Sequence, residues 1–113
     1  MLTTSSLHEH IVTCENLLEE HGEAFWRDQL SATREVDMIG NTYVNAEKLL
    51  ELFHSSPSLR DVYLTRTRMH ALSEDEQIHA NARLSELFLQ IYYLARRYIK
   101  DDVEVIHRYT GYR

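Results

Sequence analysis

Apolar positions along the chain recur mostly at three- and four-residue spacing, the signature of helices with one buried face. The first such run is Leu7, Ile11, Cys14, Leu18 and His21, with Glu9, Asn16 and Glu20 on the opposite side. Ser6 and Glu9 have capping-box spacing, so a helix is expected from about Ser6 to Gly22, where glycine can take the left-handed conformation that ends it. A second helix is expected from Glu23 to about Asp37, with Phe25, Trp26 and Leu30 as its bulk. A third is expected from Asn41 to Phe53, stopped by Pro57. Leu59–Thr67 has β-branched and aromatic character but no evident strand partner, and reads as a loop or helical turn. Ser73 and Glu76 form a second capping box and open the longest helix, from about Glu74 to Lys100. Its residues Leu84, Leu87, Phe88, Ile91, Leu94, Ala95, Tyr98 and Ile99 fill an arc wider than half the circumference. A surface helix needs a stripe of only about 100°, so this helix is expected at the centre, packed on two sides. Val103–Ile106 is expected to pack back, with His107–Arg113 as an aromatic and basic tail. The pattern predicts an all-α fold: an antiparallel bundle of about four helices around a long C-terminal one, in a single domain over 1–113.

Composition agrees. The 113 residues are 43% apolar and 27% charged, enough for one core and too apolar for disorder. Three Gly and one Pro leave few of the tight turns that a sandwich or barrel uses. Cys14 stands alone, which excludes a disulfide scaffold. The longest apolar run, Ile91–Ala95, is far short of a membrane span, and the N-terminus lacks the basic and apolar regions of a secretory signal. A cytoplasmic protein is expected, without membrane partners. Its net charge of −6 disfavours nucleic acid and favours either plain solubility or a basic protein partner.

Candidate chemistry is sparse. His10 and Cys14 have the i, i+4 spacing of two zinc ligands, but His21 lies two turns further on and no second pair offers to complete a site. A buried cysteine between partly exposed histidines is the simpler reading; no metal and no cofactor are expected. His8 and His10 point apart on the first turn. Arg66 with His70 and Arg97 with His107 do not match the Arg/His spacing of small helical ribonucleases. His79, Arg83 and Glu86 share a helix face and constitute the enzymatic alternative, a small hydrolase or ribonuclease. Arg60, Arg66 and Arg68 beside Tyr63 could grip phosphates, but pairing with Asp61 and Glu74-Asp75-Glu76 competes. Glu15, Glu19, Glu20 and Glu23 crowd the end of the first helix, where carboxylates oppose the macrodipole. That placement suits a cationic partner, or, for Glu23, the start of the next helix. Seven tyrosines, Tyr92, Tyr93, Tyr109 and Tyr112 among them, are either interface anchors or wet caps on the core.

Three stretches carry a resemblance: Leu17-Leu18-Glu19-Glu20-His21-Gly22-Glu23-Ala24-Phe25-Trp26, Ser58-Leu59-Arg60-Asp61-Val62-Tyr63-Leu64, and Asn81-Ala82-Arg83-Leu84 through Leu94-Ala95-Arg96. Together they resemble a family of small, all-helical bacterial domains of unassigned function. Its members usually carry a Gly-rich turn before the Ser-Leu-x-Asp stretch, where this chain has Ser55-Ser56-Pro57. Small acidic bacterial domains of this look are often immunity proteins for secreted toxins. The net charge, the missing catalytic motif, the glutamate-rich turn and this resemblance together lead to the expectation of a protein-binding module that neutralises a basic toxin enzyme by covering its active site. Glu19, Glu20, Glu23, Asp61 and Tyr63 are the expected partner-binding residues. A homo-oligomeric module, its apolar arc completed by a copy of itself, is the third possibility.

Overall fold

The computed structural model describes the backbone of residues 4–110 and the side chains of residues 6–99. It is mostly helical. Helix α1 spans Thr4–Glu20, α2 Ala24–Ser31, α3 Ala46–His54 and α4 Glu74–Thr110. Between α2 and α3 stands a two-stranded antiparallel hairpin, β1 Arg34–Val36 and β2 Thr42–Val44, and a single 3-10 turn covers Leu59–Asp61. The close helix packings run α2 on α1, α1 on α4, and α4 on α3. The long helix is thus packed on two sides, as its apolar arc predicts. No described helix is long and apolar enough to cross a membrane.

Helix α1 buries Leu7, Ile11, Cys14 and Leu18 along one seam. It starts before Ser6, so Ser6 lies within the first turns and does not act as the expected N-cap. Its end follows the sequence signal closely. Gly22 sits at φ 77°. The Glu23 N–H donates to the Leu18 carbonyl at 2.8 Å and the Gly22 N–H to the Glu19 carbonyl at 3.1 Å. These are the two bonds of a Schellman stop.

The second and third helices are both shorter than expected, because the chain between them forms the hairpin. Helix α2 ends at Ser31, where the buried Thr33 hydroxyl donates to the Leu30 carbonyl at 2.6 Å. The strands pair Arg34 with Val44, Glu35 with Tyr43 and Val36 with Thr42. Asp37 shapes the turn: its carboxylate accepts from the N–H groups of Ile39 (3.0 Å) and Asn41 (2.8 Å). Asn41 is therefore a turn residue, and the N-cap of α3 is Asn45, whose side chain accepts from the Lys48 N–H at 3.0 Å. The all-α expectation is corrected accordingly to mostly helical with one small sheet.

Two polar ties fix these pieces to the helical core. Arg34 of β1 reaches the buried Glu15 carboxylate of α1, a charge-assisted hydrogen bond. Asn81 of α4 clasps Leu64, accepting from its N–H at 2.7 Å and donating to its carbonyl at 2.8 Å. Leu59–Thr67 is thereby a helical turn followed by an extended strap. The strap's single bridge, Arg66 with Ala71, is to its own return. The Ser73–Glu76 capping box forms at the start of α4, with bonds of 2.8 and 3.2 Å. Helix α4 then runs through Thr110, so the backbone does not break at Lys100 as expected. The packing expected of Val103–Ile106 lies outside the described side chains, and the end of the tail, 111–113, lies outside the described residues.

Removing one member of a buried ion pair strands the other's charge in the core. Arg34→Met is expected to cost about 2–4 kcal/mol in urea denaturation, and Glu15→Leu in the same chain to recover most of it.

Candidate functional site

The Schellman stop turns His21 inward, against the strap. Its Nδ1 lies 2.8 Å from the Arg66 carbonyl. A carbonyl can only accept, so Nδ1 carries the proton. The Arg68 N–H donates to the Glu20 carbonyl at 3.1 Å, and Glu19 forms ion pairs with both Arg27 and Arg68. The strap is thus docked onto the end of α1 by backbone, imidazole and ion-pair contacts together.

This docking opens a groove of about 680 Å³ between the end of α1, the strap and the start of α4. Leu17, Leu72 and Ala80 give it an apolar floor; Glu20, Asp75 and Glu76 give it carboxylates; His21, His70, His79 and Arg83 complete its walls. The Glu20 carboxylate is 66% exposed and stands 3.8 Å from His21 Nε2. Glu76 Oε2 lies 4.0 Å from His70 Nε2. Both separations exceed the roughly 2.6–3.2 Å of a proton-transferring contact. The Glu76 carboxylate is held below its ordinary pKa, first by the Ser73 N–H it accepts from, so it stays anionic. Among the described residues no three His, Cys, Asp or Glu groups converge as metal ligands.

The structure separates the sequence-derived candidates by role. Glu19 is engaged within the molecule. Asp61 closes the capping box of the 3-10 turn, accepting from the Ser58 N–H at 3.0 Å. Glu23 occupies the N-cap position of α2 without a side-chain bond to it. Of the five, Glu20 alone lines the groove, while Tyr63 is exposed on the strap. His79, Arg83 and Glu86 are divided: His79 and Arg83 line this groove, whereas Glu86 and Arg83 line another, beside Glu9 and His10 of α1. His79 Nδ1 bonds the Asp75 carbonyl of its own helix at 2.8 Å.

His70 and His79 entered the groove unforeseen as a pair, because the strap that carries His70 folds back only through contacts distant in sequence. A second region was missed as well. Further along α4, beside its contact with α3, Arg96 lies over Tyr92 and Arg97 over Tyr93, each 5.7 Å from the ring centroid, and Arg97 also donates to the Tyr93 hydroxyl at 2.9 Å. They border an open, largely apolar depression of about 730 Å³ with Leu50, Leu89 and Ile99.

Cys14 lies in the core, and burial, aided by neighbouring Glu15, pushes its thiol pKa up to about 12. His10 Nδ1 is 2.8 Å from the Ser6 carbonyl of its own helix. With thiolate formation suppressed, Cys14 is expected to resist a disulfide reagent in the folded protein at neutral pH and to react fully once urea unfolds it. No family model, curated protein or solved structure matches the chain, which leaves the chemistry of its own surfaces to carry the functional reading.

Proposed function

We propose that the protein is a cytoplasmic protein-binding module of the immunity type, one that neutralises a basic toxin enzyme by covering its active site. The groove between α1, the strap and α4 carries this reading. An apolar floor under anionic carboxylates suits a Lys or Arg side chain, whose methylene stem covers the floor while its head meets the carboxylates. Glu20 supplies an exposed charge at the mouth, and Glu23 follows it across the turn. Met69, 89% exposed between the groove residues Thr67 and His70, offers an apolar contact beside it. The net charge of −6 supplies long-range attraction for a basic surface and repels nucleic acid.

The test is to isolate the protein with its bound partner from its native cells, then measure the partner's activity with and without stoichiometric complex. The expected partner is a basic enzyme that the complex inactivates. Reversing Glu20 and Glu23 together to Lys should weaken binding at least about tenfold and flatten its salt dependence, as loss of charge pairs does. An acidic partner, an enzyme that stays active in the complex, or an affinity indifferent to the reversal overturns the reading.

A further inference from the structure

Helix α4 turns its core residues, such as Leu84, Leu87 and Ile91, towards α1 and α3. A helix covered on that side alone should be polar on its outer side. Instead Ile78 (57% exposed), Leu89 (72%) and Tyr93 (58%) stand on the outside. Ile78 and Leu89 belong to a second stripe, Ile78, Ala82, Ser85, Leu89, Tyr92, Arg96, whose spacing alternates four and three; Tyr93 flanks it, and Tyr92 is half-buried at its inner edge against Phe53 of α3. That spacing is the seam of a two-stranded coiled coil.

We infer that the outer face of α4 is a dimer interface, on which α4 of a second copy of this chain packs antiparallel. Charge selects this occupant and this direction. Glu74 and Asp75 precede the stripe, and Arg96, with Arg97 beside it, stands towards the other end of its described side chains. Antiparallel packing about a two-fold axis between Ser85 and Leu89 brings the arginines of each copy towards the acidic start of the other. Parallel packing stacks acid on acid and arginine on arginine. Size agrees with charge: the same register sets small against large, Ser85 against Leu89 and Ala82 against Tyr92. Stacking on Tyr92 and Tyr93 holds Arg96 and Arg97 in place before docking, which lowers the entropy that association must offset. The seam from Ile78 to Arg96 is on the order of 27 Å long at 1.5 Å per residue. It is two-fold symmetric, so it closes on itself. It shares Asp75 alone with the groove lined by His79 and Arg83, and the two assignments are tested separately.

Sedimentation equilibrium between about 1 and 100 µM, the micromolar affinity class, is expected to show a monomer–dimer equilibrium. Leu89→Asp should shift dissociation at least about tenfold upward without altering the thermal melt of the monomer, since Leu89 makes little core contact. Orientation is read by cysteine pairs, with Cys14 buried and silent. Mild oxidation should cross-link Ile78→Cys/Arg96→Cys into a covalent dimer and leave Ile78→Cys alone monomeric on a non-reducing gel. A monomer at every concentration, a Leu89→Asp variant that still dimerises as before, or cross-linking through Ile78→Cys alone overturns the inference.

Discussion

The seam between α1 and α4 is the constraint on which the other elements depend. Helix α2 has eight residues, α3 nine, and each strand three, all below the length at which such elements hold in water unaided. Each persists by lending an apolar anchor to the shared core. Leu30 comes from α2, Val44 from the hairpin, Leu49 and Phe53 from α3, and Leu59 and Leu64 from the turn and strap. Burial alone does not orient short pieces. Directional bonds do that: Glu15 with Arg34 for the hairpin, Asn81 with Leu64 and His21 with Arg66 for the strap. No buried side-chain nitrogen or oxygen among the described residues is left without a partner. The polar groups brought inside therefore specify geometry without leaving a desolvation debt.

Much of this was legible where a local pattern and a local bond coincide. The α1 seam, the Gly22 stop and the Ser73–Glu76 box each rest on residues within one or two turns, and each is found where spacing places it. The hairpin was not legible, for an equally physical reason. Its strands are too short for alternation to stand out from a helical repeat, and Gly40 reads as a helix stop as readily as a hairpin turn. A signal was present nonetheless. Thr33, Val36, Thr42, Tyr43 and Val44 put β-branched and aromatic residues on both sides of Asp37–Asn41. Tyr43 donates to its cross-strand neighbour Glu35 at 2.7 Å, a pair that exists only once the turn has formed.

The groove was less legible than the fold. Residues that look alike in sequence separate in the structure by what lies across from them. Glu15 and Glu20 read as one acidic cluster, yet Glu15 is buried against an arginine nineteen residues away and Glu20 faces solvent. Glu19 joins α2 to the strap through two arginines, a role set by partners eight and forty-nine residues distant. Spacing identifies which side chains share a helix face; it is silent about which loop will settle on that face. The outer stripe of α4 is the converse. Its spacing was present all along, but Leu89 was hidden by the wider arc of core residues beside it.

Charge is divided unevenly along the chain, and the division relates the two proposed surfaces. Residues 1–89 hold 15 acidic side chains against 7 Lys plus Arg, whereas the last 24 hold 3 against 5. Among the described side chains, α4 opens on Glu74, Asp75 and Glu76 and carries Arg96 and Arg97 towards its other end. A basic partner of the kind proposed would be attracted at one end and repelled near the other. Antiparallel pairing of α4, as inferred, would bring Arg96 of each copy towards the acidic start of the opposite helix and lessen that repulsion. The groove beside His79 stays on the flank, and the two-fold axis supplies a second one. Dimerisation through the outer face would in this way sharpen the field around both grooves, so that two surfaces sharing only Asp75 act on the same encounter.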